Sequence, residues 1–175
     1  LSSVFVEEIK EFVPHLTELR FNGGEPFAQK IVLDICDMVA EVNPGLKINI
    51  ATNGTVYHSR AKKILSQNNA HINVSIDSLD PELYSQIRIN GKLEEVFSNF
   101  KIYKQYCGEE KELSVMVNPM RNNWHEMIDF VEFADRHQAN LWYNTILYPK
   151  QWAIWNLPSV QLKEIYEVLS YKLDR

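Results

Sequence analysis

Apolar positions recur along the chain with two alternating periods, and the switches between them define the elements. Ile9, Phe12, Val13 and Leu16 fall on one face of a short helix. Glu18 to Asn22 then alternates, with Leu19 and Phe21 opposed to Glu18, Arg20 and Asn22, which predicts a strand. Ile31, Val32, Ile35, Val39 and Val42 return to the helical period, and Asn43-Pro44-Gly45 ends that helix. Lys47 to Thr52 predicts a second strand, Val56 to Ser66 a helix, and His71 to Asp77 a third strand. Asp80-Pro81 opens the next helix, with Asp as cap and Pro in the first turn. Leu93, Val96, Phe97 and Phe100 mark a longer helix that closes near Cys107-Gly108. Glu112 to Asn118 predicts a fourth strand. Asn123 with Glu126 reads as a capping box for a helix ending near Arg136. Leu141 to Leu147 predicts a fifth strand, and Ser159 caps a last helix that buries Leu162, Ile165, Tyr166 and Leu169.

Strands that alternate with helices pair in parallel through right-handed crossovers, so the class is α/β. The central strands of a doubly wound sheet are apolar on both faces. Here Ile48 and Ile50 oppose Lys47, Asn49 and Ala51, while Ile72, Val74 and Ile76 oppose Asn73, Ser75 and Asp77. One apolar and one polar face suit a wide, partly open barrel around a polar ligand. A closed eight-stranded barrel would instead fill its interior with branched apolar side chains. No linker or repeat interrupts residues 1–175, which read as one domain.

Composition narrows the class of function. The net charge is -5 and no basic patch stands out, which argues against nucleic acid. No apolar run is long enough to span a bilayer. The two cysteines, Cys36 and Cys107, lie far apart, which fits a reducing, cytoplasmic setting rather than a disulfide framework. Both read as helix-packing thiols. The five histidines have no ligand spacing. Trp142, Tyr143, Tyr148, Trp152 and Trp155 read as packing between the last strand and the last helix, because aromatics dominate cores; a substrate wall or a contact to a further segment is the other reading.

Candidate chemistry collects where parallel strands end, which is where ligands bind in such folds. The first strand runs into Gly23-Gly24-Glu25-Pro26, the second into Thr52-Asn53-Gly54, and the third into Ser75-Ile76-Asp77-Ser78, with Arg88 one helix later. Each alone has a plain structural reading: Asn-Gly is a turn, and Asp77 or Ser78 can cap the next element. Glu25 and Asp77 could also be a hydrolytic carboxylate pair. Their shared placement at successive strand ends points to a single ligand site.

In order and spacing these segments resemble the radical S-adenosylmethionine superfamily. Gly23–Pro26 is similar to its GGEP motif, Thr52–Gly54 to the end of its next strand, and Ser75–Ser78 with Tyr84, Ile87 and Arg88 to its "SID…Y…IR" stretch. Members that modify peptides or carry a C-terminal auxiliary-cluster ("SPASM" or "twitch") extension are the most similar. The resemblance implies a partial (β/α)6 TIM-like barrel of parallel strands with its first strand missing, residues 1–175 running from the second strand to the last helix. It implies that Gly23, Gly24 and Glu25 hold the methionine amino group of S-adenosylmethionine, with Pro26 stiffening the same cofactor-binding turn, and that Ser75 and Arg88 hold its carboxylate. It places Asn53 and Asp77 near the ribose, and the adenine near Val117 and Leu147. The second implied cofactor is a 4Fe-4S cluster, whose C-x-x-x-C-x-x-C loop belongs ahead of the first helix and is absent here, so that this chain alone should be inactive and holds no metal. The intact enzyme would take electrons from a reductase, cleave the cofactor reductively, and abstract hydrogen from a peptide or small molecule with a 5'-deoxyadenosyl radical. The alternative is a catalytically silent binding or scaffold module of the same fold.

Overall fold

Alternating segments become strands where their apolar side finds a neighbour, and two of the five do so with the bounds read from the sequence. The structure is a computed structural model and describes residues 3–173. Among these the order is α1 (Ser3–Lys10), β1 (Glu18–Asn22), α2 (Lys30–Val42), β2 (Lys47–Thr52), α3 (Ser59–Gln67), β3 (Asn69–Ser75), α4 (Pro81–Ile87), α5 (Leu93–Cys107), β4 (Leu113–Val117), α6 (Met127–Arg136), β5 (Asn140–Tyr143) and α7 (Ser159–Leu173), with short 3-10 turns between several of them. Two compact units result. One runs up to Ser75 and resumes over Glu95–Leu113; the other holds Ile76–Glu94 and the residues from Ser114 on.

In the first unit, β1, β2 and β3 run parallel in chain order. Phe21 pairs with Ile50 and Asn22 with Ala51, while Ile50 pairs with Ile72 and Thr52 with Val74. This register aligns Leu19, Ile48 and Ala70 across the strands, and Phe21, Ile50 and Ile72 beside them. Ile48, Ile50, Ile72 and Val74 are buried to within 1% of completely, and each contributes about 1.5–3 kcal/mol relative to exposure. The opposite side chains, Lys47, Asn49, Ala51 and Asn73, are half-buried. The expected two-faced strand is therefore present. Helix α2 buries Val32, Leu33, Ile35, Cys36, Met38 and Val39. It stops at Asn43, whose N–H donates to the Val39 carbonyl (2.8 Å) and whose side chain donates to the Val13 carbonyl (3.2 Å).

In the second unit, β4 and β5 are parallel, with Val115 opposite Leu141 and Val117 opposite Tyr143. Helix α4 starts as expected: Pro81 occupies the first turn, and the Asp80 carboxylate accepts from the Leu83 N–H at 2.8 Å. The parallel pairing and the strand–helix alternation establish the α/β class.

Several boundaries differ, each for a local reason. The first helix ends at Lys10, not Leu16, and Val13–His15 forms a separate 3-10 turn around Pro14. Proline supplies no N–H and disfavours helix in the residue before it. Helix α3 begins three residues late because His58 caps it: Nδ1 accepts from the Ala61 N–H (3.1 Å), and Nε2 donates to the Phe27 carbonyl (2.9 Å). β3 lies two residues earlier than expected. Asn123 and Glu126 do not form a capping box; their side chains turn to partners near Asp77. The aromatic segment is not packed as expected, since Trp142, Tyr148, Trp152 and Trp155 are exposed. In α7 only Ile165 is buried, and Tyr166 is exposed.

Candidate functional site

The exit of β1 is built from backbone before side chains. Gly23 and Gly24 both adopt positive φ, +153° and +58°, which costs glycine nothing and other residues strain. A Cβ on Gly24 would lie 2.4 Å from Gln29 Nε2, the atom that donates to the Gly23 carbonyl at 3.1 Å. A Cβ on Gly23 would meet nothing within 4 Å, so a ligand can lie directly against the backbone there.

Glu25 comes next in extended conformation and caps the 3-10 turn Pro26–Ala28. Its Oε1 accepts from the Phe27 N–H (3.2 Å) and from Thr52 Oγ1 (2.8 Å), and its Oε2 accepts from the Asn53 N–H (2.8 Å). The carboxylate thus ties the end of β1 to the end of β2. A carboxylate offers about four lone-pair positions; three are used, and the fourth, on Oε2, suits one N–H of an ammonium group. Pro26 and Phe27 are buried beneath it, with Phe27 stacked on Tyr103 at 6.0 Å between ring centroids. Burial and the Glu25 charge hold the Tyr103 phenol above its usual range.

The end of β2 is equally organised. Thr52 donates to Glu25 and accepts from the Gly54 N–H (3.0 Å). Asn53 Oδ1 accepts from both Thr55 N (2.9 Å) and Thr55 Oγ1 (2.6 Å). Gly54 has φ +75°, and a Cβ there would sit 2.9 Å from Val96 Cγ1 and 3.0 Å from Val74 Cγ1. Its carbonyl accepts from Asn99 Nδ2 at 2.8 Å. Asn53-Gly54 is therefore a turn pressed onto the core. Ser75, half-buried, closes β3 in the same unit.

In the second unit Asp77 is 3% exposed. Its Oδ2 accepts from Arg88 Nε (2.7 Å), and Nη2 lies 2.5 Å from the same oxygen as an ion pair. Its Oδ1 accepts from the Asn118 N–H (2.8 Å) and from Asn118 Nδ2 (2.9 Å). Asn123 Nδ2 donates to the Asp77 carbonyl (2.6 Å) and to the Asn118 carbonyl (3.0 Å). Glu126 Oε1 accepts from the N–H groups of Leu79 (3.3 Å) and Asp80 (3.1 Å), while its Oε2 is buried without a partner. Beside Arg88, a cleft of about 300 Å3 is lined by Ile87, Ile89, Met120, Ile146 and Trp152.

The structure brings Gly23, Gly24, Glu25, Pro26 and Asn53 together in one unit, and Asp77 with Arg88 in the other. It ties Thr52 of the expected Thr52–Gly54 segment to Glu25, and adds Gln29 and Tyr103 to the first group and Asn118 and Asn123 to the second. Thr52 and Asn118 carried a readable signal, being polar residues at the last or next position of a strand. Tyr103 and Asn123 did not, because their roles depend on contacts remote in sequence.

Among the described residues no group of three or more His, Cys, Asp or Glu is placed to hold a metal ion. Cys36 and Cys107 are buried on helices, and burial pushes their thiols up to about 12 and about 11, against the thiolate a cluster requires. These residues do not fit an iron–sulfur cluster, whereas the glycine-lined backbone and the fourth lone pair of Glu25 fit an amino-acid group.

The profile of the Radical SAM superfamily matches residues 3–134. The GTP 3',8-cyclase of Pseudomonas putida is 28% identical over 125 residues, which is 71% of this chain and 37% of the relative. That of Limosilactobacillus fermentum is 24% identical over 140 residues, 77% of this chain and 42% of the relative. The chain thus spans less than half the length of the curated relatives it matches. Among solved structures, Streptococcus suis SuiB superposes with a TM-score of 0.68 at 12% identity, covering 97% of this chain and 40% of that one. SuiB is also known bound to S-adenosylmethionine and to its precursor peptide SuiA. The enzyme anSMEcpe with bound AdoMet superposes with a TM-score of 0.65 at 16% identity, over 88% of this chain and 45% of that one. These likenesses show a shared fold.

Proposed function

The chain belongs to the radical S-adenosylmethionine superfamily, whose members use that cofactor with a 4Fe-4S cluster, and from this premise we propose that residues 1–175 are the part of the core domain that cradles S-adenosylmethionine. The observation that carries the reading is the Glu25 carboxylate, held by Phe27, Thr52 and Asn53 with one lone pair of Oε2 left over, two residues after the uncrowded backbone of Gly23. Gly23, Gly24 and Glu25 take the methionine ammonium, and Pro26 stiffens the turn that presents them. Glu25 accepts one of its N–H groups, and the glycines let the ligand approach the main chain. Arg88 and Ser75 take the carboxylate; a guanidinium pairs with carboxylate through two parallel bonds. Asn53, fixed by Thr55, faces the ribose.

In the intact protein, S-adenosylmethionine with a cluster held outside these residues and an electron from a reductase would supply hydrogen-abstraction chemistry toward the substrate. This chain's residues contribute binding and orientation, and no cluster ligand is found among those described. The substrate is a peptide or small molecule. The apolar lining of the cleft beside Arg88 and the peptide-bound neighbour favour a peptide over the nucleotide that the cyclase relatives' name implies. Among the described residues no helix is long and apolar enough to cross a membrane, and we place the protein in the cytoplasm, where unpaired buried thiols persist.

Calorimetric titration with S-adenosylmethionine tests the reading. Saturable one-to-one binding that S-adenosylhomocysteine competes for is expected, since both share the amino-acid end; no competition would overturn the assigned contacts. Formation of 5'-deoxyadenosine by the cluster-loaded full-length protein separates an enzyme from a silent module of the same fold.

A further inference from the structure

The resemblance places Asp77 beside the ribose, but its surroundings give it another task. Its carboxylate is already engaged: Oδ2 accepts from Arg88 Nε, with Nη2 in ion-pair contact at 2.5 Å, and Oδ1 accepts from the main-chain and side-chain nitrogens of Asn118. A carboxylate has about four lone-pair positions; three accept hydrogen bonds, and the Arg88 guanidinium lies 2.5 Å from the oxygen that carries the fourth. The side chain is 4% exposed, whereas that of Arg88 is 32% exposed. The contact between them uses Nε and one terminal nitrogen, the side-on edge of the guanidinium, which fixes the plane of the group.

The grip is itself braced. Asn118 lies directly after β4, and its carbonyl accepts from Asn123 Nδ2 at 3.0 Å. The same nitrogen donates to the Asp77 carbonyl at 2.6 Å, and Asn123 Oδ1 takes the Met120 N–H at 2.5 Å. Asp77 is held on both sides, while Arg88 sits at the end of α4, its N–H bonded to the Tyr84 carbonyl at 2.7 Å. An arginine at a helix end has several rotamers, and ordering so long a side chain costs conformational entropy. A buried carboxylate that selects one orientation removes that cost before a ligand arrives.

We propose that Asp77 is a positioning residue that presents the Arg88 guanidinium to the carboxylate of an amino-acid-type ligand and does not touch the ligand itself. This rests on the reading of the site given above and deepens it: specificity for a carboxylate-bearing ligand is set by the pair Asp77–Arg88, with Asn118 as its brace.

The test compares S-adenosylmethionine with its decarboxylated counterpart, which differs only by the missing carboxylate. Both are titrated calorimetrically into the wild type, Asp77→Asn, Arg88→Gln and the double variant. The wild type should prefer the carboxylate-bearing ligand by about tenfold or more, as expected for a charge-assisted hydrogen bond. Arg88→Gln should abolish the preference. Asp77→Asn should reduce it at least threefold while leaving affinity for the decarboxylated compound within twofold, and the double variant should be no worse than Arg88→Gln. Equal weakening of both ligands by Asp77→Asn would make Asp77 a ribose contact, and an unchanged ratio would make it merely structural; either overturns the proposal. If Asp77→Asn does not fold, Asn118→Ala keeps the ion pair but loosens its brace, and must still lower the ratio. A wild type that binds neither compound, or both equally, would sink the cofactor-site reading. The positioning claim is then read alone by 15N NMR: the Arg88 Nε–H should exchange slowly in the wild type and rapidly in Asp77→Asn, and equal exchange in both would overturn it.

Discussion

Replacing Glu25 by Gln removes one charge and exchanges one acceptor oxygen for a donor, and its cost can be worked from three bonds. One amide oxygen can still serve the Phe27 N–H and the Thr52 hydroxyl, which share Oε1. The new NH2 then faces the Asn53 N–H, 2.8 Å from the present Oε2, so two donors confront each other. A partly buried N–H left without an acceptor costs about 1–3 kcal/mol, and the two surviving bonds lose the roughly twofold strengthening that charge provides. A total near 2 kcal/mol corresponds to a fall in Tm of roughly 4–8 °C for a chain of this length. Affinity for S-adenosylmethionine should fall about tenfold or more, because the oxygen offered to the ammonium is replaced by an NH2 that cannot accept its N–H. Differential scanning calorimetry and titration on the same sample read the two effects separately. Glu25→Asp, which keeps the charge on a shorter stem, should also lose the cross-strand bonds. A Glu25→Gln variant that melts within about 1 °C of wild type would refute the assignment of Glu25 as the tie between β1 and β2. One that binds the cofactor unchanged would refute its role toward the ammonium.

Three further outcomes are expected. Gly54→Ala places a Cβ 2.9 Å from Val96 and 3.0 Å from Val74 at φ +75°, so overpacking and left-handed strain together should cost about 2–5 kcal/mol; thermal unfolding checks it, and an unchanged Tm would contradict the geometry. His71 is held below its ordinary value of 6.5, chiefly by burial and then by Lys47, against the opposing pull of Glu112. Its Nδ1 accepts the Glu112 N–H at 3.0 Å. The folded state thus resists a proton that the unfolded chain takes up, and stability should fall as pH drops below 6.5, before the depressed carboxylates Asp34, Asp37 and Glu112 lose their charge at lower pH. Urea midpoints between about pH 7.5 and about pH 5.5 should show the slope, and His71→Asn, which keeps an acceptor, should flatten it; an equal slope in both would contradict the assignment. Cys36 and Cys107 are buried and hard to ionise, so neither should react with a disulfide reagent at about pH 8 until the chain unfolds. Rapid labelling of the native protein would show the burial to be wrong.

Elements governed by local pattern were legible in the sequence, and those governed by distant partners were not. The bounds of β1 and β2 come from alternation that stops at Gly23 and at Asn53-Gly54, where the chain must turn. The start of α4 comes from Asp80-Pro81, a cap that needs no tertiary context. By contrast, β3 begins at Asn69 because its register is set by β2, where Lys47 pairs with Asn69 and Ile48 with Ala70, and no property of the segment itself reveals that. Asn123 and Glu126 have the spacing of a capping box, yet Asn123 bonds to Asp77, 46 positions away, and Glu126 to Leu79 and Asp80. The polar residues at the strand ends could be picked out from alternation and turn residues alone. Their division of labour could not: Asp77 is buried in an ion pair with Arg88 and braced by Asn118, while Glu25 is half-buried with no ion-pair partner among the described residues on its open Oε2 position. The aromatic segment misled because size and apolarity indicate what can be buried, not what has a partner to bury it.

The claim on which the rest depends is that these strand ends hold S-adenosylmethionine, and a 15N-resolved NMR titration of the 20.5 kDa chain tests it residue by residue, at affinities too weak for calorimetry. The expected result is that added cofactor moves the amides of Gly23, Gly24, Asn53 and Ser75 and the side-chain Nε of Arg88, with saturation at one common dissociation constant. Shifts confined to other surfaces, such as the cleft between Asp37 and Lys63, or none at all at millimolar cofactor, would contradict it.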